Sequence, residues 1–327
     1  MEQEKECLVS VMCSTYNQSK YIRTCLDSLV SQKTNFKYEI IVKDDASTDG
    51  QQEIIKEYYQ KYPDKIKLLL LEENHFQQGK SMIAFEKAFN MAQGKYIASC
   101  EGDDFWVDDN KLQTQVDFME QHPDYSLCGH SAYYANEDGS LRKDRFFRLS
   151  DTSREVSIEE ILTSWVMATN SLLYRKDARK DLLIPFKGKC INGDYALMVY
   201  LALKGRVYYF DKLMSAYRVC SNGSLSQRYI KDLDYFRKVR AEYINMLDRI
   251  DGYTSKKYSE ILSDYKRNCE FDLYLMVGDA AELKKYRDIC NKKPLKIRIK
   301  YFCCIHFNSF YMKVKVIHRK LRLLRNR

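Results

Sequence analysis

The sequence predicts an α/β fold, a mainly parallel sheet flanked by helices and followed by a helical C-terminal region. Three observations carry this. From Leu8 to Cys100, short apolar runs alternate with segments of helical period, the pattern of βαβ units. Three of those runs stop at polar or acidic residues, and open α/β sheets bind ligands outside the carboxyl ends of their strands. From about Tyr229 onward the apolar period is helical.

Taken in order, Leu8 to Ser14 reads as the first strand, followed by the turn Thr15-Tyr16-Asn17. Ser19 is suited to cap a helix whose apolar positions are Ile22, Cys25, Leu26, Leu29 and Val30. Tyr38 to Lys43 is a second strand, ending in Asp44-Asp45-Ala46-Ser47-Thr48-Asp49-Gly50. A helix over Gln51 to Lys61 stops before Pro63. Ile66 to Leu71 is a third strand. Gly79 to Gln93 is a helix with Met82, Ile83, Phe85 and Phe89 inward, ended by Gly94. Tyr96 to Cys100 is a fourth strand and runs straight into Glu101-Gly102-Asp103-Asp104.

Lys111 to Gln121 reads as a helix ended by His122-Pro123, Tyr125 to Asn136 as strand, and Glu137-Asp138-Gly139 as a turn. The polar segment 141–156 reads as a loop over the site, and Val166 to Tyr174 as strand. Asn192 to Leu203 is a helix closed by Lys204-Gly205, and Val207 to Phe210 and Met214 to Val219 are two short strands. Helices are expected at roughly 229–250, 254–277 and 279–290, with a basic stretch after Pro294.

Composition bounds the function. The chain has 327 residues, 45% of them hydrophobic, so a sizeable core can be buried; with only 4 prolines and no low-complexity segment, extended disorder is not expected. The charged opening Met1–Glu6, before a short apolar run, lacks the form of a signal peptide, and no stretch reaches the ~18 apolar residues of a membrane span. The 11 cysteines have no CxxC pairs and read as reduced thiols, which suits a cytoplasmic protein. Cys303-Cys304 with His306 is set aside as a metal site, because adjacent cysteines share one ion poorly. Net charge is +9, but residues 291–327 alone carry +12 and no acid, leaving the body at −3. That excludes a nucleic-acid surface spread over the protein.

The acids after the fourth strand are the centre of the site. Clustered carboxylates repel unless a cation or hydrogen bonds satisfy them, and their hard oxygens suit Mg²⁺ or Mn²⁺. The plain alternative is a solvated acidic turn. Lys80, just after Gly79 at a helix start, is placed to meet a phosphate, or to be an ordinary solvated lysine.

Together these pieces resemble the family 2 glycosyltransferases, whose fold is the Rossmann-like GT-A fold, over roughly residues 7 to 226. Val9-Ser10-Val11-Met12-Cys13-Ser14-Thr15-Tyr16-Asn17 is similar to the family's opening strand and turn, and Val42-Lys43-Asp44-Asp45-Ala46-Ser47-Thr48-Asp49-Gly50 to its Val-Asp-Asp-Gly-Ser-Thr-Asp segment. Glu101-Gly102-Asp103-Asp104 stands where the family has Asp-Ser-Asp-Asp, the metal-binding DxD. Gly193-Asp194-Tyr195-Ala196-Leu197 resembles its Glu-Asp-Tyr-Asp-Leu segment.

The resemblance implies an inverting glycosyltransferase that moves a hexosyl group from a nucleotide-diphosphate sugar to a hydroxyl of a glycan or lipid-linked acceptor, in surface polysaccharide biosynthesis. Asp103 would hold the Mn²⁺ or Mg²⁺, with Asp104 behind it or at the acceptor, and Glu101 and Gly102 at the ribose side. Thr15, Tyr16, Asn17, Asp44, Asp45, Lys80 and Arg218 would bind the nucleotide sugar, expected to be UDP-linked. Asp194 would be the general base that takes the acceptor proton. Trp165 and Asn170 would face the acceptor pocket. The chain departs from the family at Cys220, which replaces a usual His and is too soft for Mg²⁺, and at Ala46, which replaces a usual Gly.

The implied organisation is a glycosyltransferase domain over 1–226, with a nucleotide half at about 7–106 and an acceptor half at about 107–226, then a helical region over 227–327. A sugar-nucleotide pyrophosphorylase is disfavoured, since Val9 to Lys20 contains no glycine for a phosphate loop. The alternative is a degenerate member of the family that only binds a glycan or partner. Under either reading a homodimer is an open option. The basic amphipathic tail 291–327 suits an anionic membrane surface at the inner face, or else packing on the body or on a second subunit.

Overall fold

The sheet is built on β1 (Cys7–Thr15), whose Val9, Val11 and Cys13 are fully buried between parallel neighbours β2 (Lys37–Asp44) and β4 (Tyr96–Ser99). Parallel strands are covered on both faces, which is why these runs are almost continuously apolar. In this computed structural model, which describes residues 6–182, 193–219, 228 and 232–315, those residues fall into two compact units. The first, residues 6–182 and 193–219, carries the sheet.

From β3 (Ile66–Leu70) the strand order is β3-β2-β1-β4, then β9 (Leu173–Arg175), β6 (Tyr125–Ala135), β10 (Arg206–Arg218) and β5 (Phe105–Trp106). β3, β2, β1 and β4 are mutually parallel, and β6 is parallel to β10. β9 runs antiparallel between β4 and β6 and joins the two parallel blocks. The helices α1 (Ile22–Val30), α2 (Gln51–Lys61), α3 (Ser81–Met91), α4 (Lys111–Gln121), α5 (Ile158–Thr163) and α6 (Gly193–Ala202) connect or follow the strands. The predicted fold class and most element positions are therefore present, α2 and α4 with the predicted bounds.

Five local expectations change. Ser19 does not cap α1: the cap residue is Tyr21, with no side-chain cap bond, and the Ser19 N–H instead donates to Asp49 Oδ2 at 2.8 Å. In α3 the inward residues are Ala84 and Ala88, while Ile83 is 54% exposed. Small residues let the helix lie close to the sheet, and Phe85 and Phe89 turn sideways under the buried Arg179 guanidinium, at 5.0 and 4.2 Å. Segment 141–156 is not all loop. It contains β7 (Leu141–Phe147) on β6 and β8 (Arg154–Val156) on β10, with Tyr133–Phe146 rings 5.6 Å apart across the first pair.

The fourth change is in the expected strand over Val166 to Tyr174. It shrinks to Leu173–Arg175, because Thr169–Ser171 coil into a 3₁₀ turn that aims Asn170 inward. The two short strands expected over Val207 to Val219 are one, β10, irregular between Phe210 and Ser215.

Gly94 shows why β4 needs a glycine ahead of it. A Cβ there would lie 2.5 Å from Ser10 N and 2.7 Å from the Val9 carbonyl carbon, both backbone atoms that cannot move aside.

The second unit, residues 228 and 232–315, is helical: α7 (Leu233–Tyr253), α8 (Ser259–Val277), α9 (Ala280–Leu283), α10 (Arg287–Asn291) and α11 (Leu295–His306), then helix again over 308–315. Asp232 and Asp279 cap α7 and α9 by accepting from the N–H groups of Tyr235 and Glu282. Its core joins Phe271, Leu275, Leu283, Ile289, Cys290, Cys304 and Tyr311. Among the described residues no helix is long and apolar enough to cross a membrane.

One buried titratable group makes stability depend on pH. His130 on β6 is fully buried, its Nδ1 2.8 Å from the Ser131 carbonyl oxygen. Burial, and then the charge of Lys111, hold its pKa well below the usual value. Below pH ~6.5 the unfolded chain therefore takes up a proton that the folded chain refuses, and this contribution to stability is lost as pH falls. His130→Asn, which keeps a donor near Nδ1, should flatten the decline. By urea unfolding, the stability lost between pH 7.5 and pH 5.5 should be about 1 kcal/mol greater for wild type than for the variant. Equal losses would show that His130 does not titrate in this way.

Candidate active site

Side-chain hydrogen bonds lock the loops after β1 and β2 together. Thr15 Oγ1 lies 2.8 Å from Oε1 of both Gln18 and Gln51, its one hydroxyl proton shared between them. Asn17 N donates to Ser47 Oγ and Asn17 Oδ1 accepts from Thr48 N, both at 2.8 Å. Buried Asp44 accepts from Gln51 Nε2 at 2.5 Å, from Gln52 Nε2 at 2.7 Å and from Ser47 N at 2.9 Å. Asp45 accepts from the N–H groups of His75 and Phe76, at 3.1 and 2.9 Å, and so holds the loop ahead of α3. The turns need two left-handed residues, Asn17 at φ 50° and Ala46 at φ 62°. Ala46 thus keeps the conformation a glycine would adopt, at a steric cost of roughly 1 kcal/mol.

Of the residues expected to meet a nucleotide, Thr15, Asn17, Asp44 and Asp45 form this frame. Tyr16 stands at its rim, 37% exposed. Lys80 is exposed at the start of α3, its N–H bonded to the His75 carbonyl. Gln18 and Gln51 were not singled out from the sequence. Gln51 follows Gly50 as the first residue of α2, and only the folded contact reveals it as the hub.

The acids follow β4. Gly102 is pressed against the first loop: a Cβ would sit 2.4 Å from Thr15 Oγ1, 2.7 Å from Thr15 Cβ and 2.6 Å from Gln18 Oε1. Glycine is required there by close approach. Asp104 is buried, its Oδ1 accepting from Arg218 N at 2.8 Å and its Oδ2 from Asn170 Nδ2 at 2.9 Å. Asn170 also donates to the Ala216 carbonyl and accepts from Ser215 Oγ, and its own carbonyl accepts from Trp106 Nε1. It therefore serves Asp104 from beneath. Arg218 is buried too. Its Nε donates to the Asp103 carbonyl at 2.8 Å, its Nη1 to the carbonyls of Asn136 and Glu137, and its guanidinium lies over Tyr21 and Phe105. What the geometry gives Arg218 is a clamp on the acidic turn.

Asp194 opens α6 at the same place. Its Oδ2 accepts from Thr169 Oγ1 at 3.0 Å, its Oδ1 from Tyr195 N at 2.9 Å, and burial raises its pKa. Burial, then Asp103 and Asp194, push Glu101 up to about 8, and burial, then Asp103 and Glu101, push Asp104 well above the carboxylate range. The phenol of Tyr217 on β10 is raised by burial and by the same four acids, Asp104, Asp103, Glu101 and Asp194. Tyr217 is thus a further member of the site, visible in the sequence only as the neighbour of Arg218. Trp165 is 40% exposed and its ring lies 6.0 Å from that of Tyr195, beside Asp194. Cys220 lies outside the described residues.

The donor set fits a hard divalent cation. It is all oxygen, and its acids hold one another's pKa up, a repulsion that a cation relieves. Among the described residues no three side chains are grouped to chelate a metal on their own. Mg²⁺ binds through one or two carboxylates completed by substrate phosphates and water, so it does not need such a group. With Asp104 occupied by Arg218 and Asn170, Asp103 and Glu101 are the side chains that would face the ion.

Comparison with known proteins agrees. Residues 10–183 match Glycosyl transferase family 2, and the chain belongs to that family. It is 31% identical over 253 residues to an uncharacterized Mycobacterium tuberculosis protein, spanning 76% of this chain and 70% of that one. It is 28% identical to the putative teichuronic acid biosynthesis glycosyltransferase TuaG of Bacillus subtilis, over 68% of this chain and 83% of the relative. It is 27% identical to the Escherichia coli UDP-Glc:alpha-D-GlcNAc-diphosphoundecaprenol beta-1,3-glucosyltransferase WfaP, over 69% and 82%. The fold is shared with S. aureus TarS in complex with UDP-GlcNAc (TM-score 0.54, 20% identity, 94% of this chain and 91% of that one). It is also shared with the Pyrobaculum calidifontis mannosyltransferase PcManGT in complex with GDP-Man and Mn²⁺ (TM-score 0.54, 15% identity, 98% and 88%). The GT-A fold is therefore present.

Gly102→Ala tests the close approach. The methyl group must displace Thr15 or Gln18, and overpacking of this kind costs about 1–3 kcal/mol. Thermal unfolding should show a clear drop in midpoint. An unchanged midpoint would mean the two loops are not tightly packed.

Proposed function

We propose that this chain is an inverting glycosyltransferase that transfers a hexosyl group from a UDP-linked sugar to a hydroxyl of a glycan or lipid-linked acceptor in surface polysaccharide biosynthesis. The observation that carries the reading is the convergence of Glu101, Asp103, Asp104, Asp194 and Tyr217 beside the locked loops of β1 and β2. UDP is favoured over other nucleotides by the UDP-GlcNAc complex of TarS and the UDP-Glc donor in the name of WfaP, although PcManGT holds GDP-Man.

The frame of Thr15, Asn17, Asp44 and Asp45 presents Tyr16 at its rim as a surface for the base. Asp103, with Glu101, would hold Mn²⁺ or Mg²⁺ against the diphosphate. When bound, such a cation offsets the negative charge that grows on the leaving diphosphate. Asp104 stays behind them, fixed by Arg218 and Asn170. Lys80 can approach a phosphate at the start of α3.

Asp194 is held by Thr169 Oγ1 and the Tyr195 N–H, and burial raises its basicity. A positioned carboxylate of raised basicity is suited to act as a general base. It takes the acceptor proton as that oxygen bonds to the anomeric carbon, and the bond from that carbon to the diphosphate breaks with its electrons going to the diphosphate oxygen. Attack opposite the leaving group inverts the anomeric centre. Trp165, beside Tyr195, offers an aromatic face to the acceptor sugar.

Two variants test the assignment. Asp194→Asn keeps shape but cannot take the proton, and transfer should fall by ~10²–10⁴-fold with UDP affinity nearly unchanged. Near-wild-type transfer would remove Asp194 from the mechanism. Asp103→Ala should abolish the gain in UDP affinity that Mn²⁺ gives the wild type, measured by calorimetry with and without metal. If the metal-dependent gain persists, Asp103 does not hold the ion. Metal-dependent UDP binding by the wild type without turnover on any acceptor would instead favour a non-catalytic binding protein.

A further inference from the structure

The helical unit leaves an apolar surface uncovered. In α11, Leu295, Ile299 and Phe302 recur at i, i+4 and i+7 and are 68, 53 and 53% exposed. They lie opposite Cys304, which is buried in the core of the unit. Apolar exposure continues beyond α11: Phe307, Phe310 and Val314 are 56, 65 and 44% exposed, next to buried Tyr311, whose hydroxyl donates to the Leu275 carbonyl at 2.9 Å. The ring of Phe302 lies 6.1 Å from that of Phe307, so the two exposed groups meet. This segment is not a loose arm. Cys304 and Tyr311 anchor it to the core of the unit, while six large apolar side chains face water, which soluble surfaces seldom carry in a contiguous group.

Its charge is one-sided. Lys296, Lys300 and Lys313 flank these side chains and are exposed, and residues 291–327 hold 12 basic residues and no acid. Nearby acids of the same unit are paired, Asp288 with Arg267 at 3.0 Å and Glu282 with Lys285 at 2.6 Å.

We infer that this face docks on a bilayer bearing anionic lipid, with Leu295, Ile299, Phe302, Phe307, Phe310 and Val314 entering the headgroup boundary and the lysines meeting lipid phosphates. The combination of an apolar stripe, aromatic rings and flanking lysines is what interfacial helices use. A second copy of the chain fits less well. A two-fold contact would set the same basic face against itself with no acid in the segment to pair it. A nucleic acid would satisfy the lysines but leave the six apolar side chains in water. The inference rests on this unit alone and stands or falls separately from the transferase reading.

Full-length protein is sedimented with vesicles of phosphatidylcholine containing one-third phosphatidylglycerol, and with pure phosphatidylcholine. Wild type should pellet with the anionic vesicles and be weakened by high salt. The triple variant Phe302→Ser, Phe307→Ser, Phe310→Ser should stay in the supernatant. These side chains are exposed, so circular dichroism and metal-dependent UDP binding should be unchanged. Each of Lys296→Gln, Lys300→Gln and Lys313→Gln should weaken anionic-vesicle binding about five-fold, since each charge near such a surface adds about that factor. Equal pelleting of the triple variant, or no pelleting of the wild type, overturns the inference. So does a wild-type dimer that the serine variant turns into a monomer while both ignore vesicles.

Discussion

Asp104 is 2% exposed and sits beside two other carboxylates, those of Asp103 and Glu101, so the acidic turn can exist only because something holds it. What holds it is two donors, the Arg218 N–H and the Asn170 amide, together with the Arg218 guanidinium that grips the Asp103 carbonyl from the other side. Removing water from a charge is costly unless hydrogen bonds replace the water. Here the replacements come from residues 66 and 114 positions away in the chain. β10, the 3₁₀ turn at Thr169–Ser171 and the turn after β4 must therefore all be in place before the site is whole. The break in the expected strand over Val166 to Tyr174 is explained by the same constraint, because a continued strand would not aim Asn170 at Asp104.

The other half of the site is held differently. The loops after β1 and β2 are joined by amides and hydroxyls gathered around the Asp44 carboxylate: Thr15 to Gln18 and Gln51, Gln51 to Asp44, Asn17 to Ser47 and Thr48. These bonds are individually worth about 1 kcal/mol. Together they fix the two left-handed residues Asn17 and Ala46 and set a rigid floor. Gly102 then brings the acidic turn into contact with that floor. An acidic turn and a stiff, hydrogen-bonded frame are thus in direct contact, a sound basis for placing a charged ligand reproducibly.

The core of the fold was legible in the sequence because its cause is local. β1, β2, β3 and β4 are short, β-branched and apolar, and their polar ends coincide with turns; α2 and α4 are bounded by Pro63, Pro123 and their flanks. The acid cluster was legible for the same reason, being contiguous in sequence. Less could be read where partners are distant. The inward face of α3 depends on how close the helix lies to the sheet, and alanines won over Ile83. Segment 141–156 became strand because β6 and β10 offered edges to pair with, although its own composition reads as loop.

By itself the sequence determined the order of strands and helices, the strand-end position of the acids, membership of glycosyltransferase family 2, and a C-terminal segment rich in base and free of acid. Only the tertiary structure decided which of the site residues face outward and which are occupied. Asp44, Asp45, Asp104 and Arg218 are engaged by the protein itself, Gln51 and Tyr217 join the site, and α11 packs one face while exposing another. The physical reason is that side-chain identity fixes what a group can donate or accept. Which partner takes it depends on groups brought near by folding, and those lie far apart along the chain.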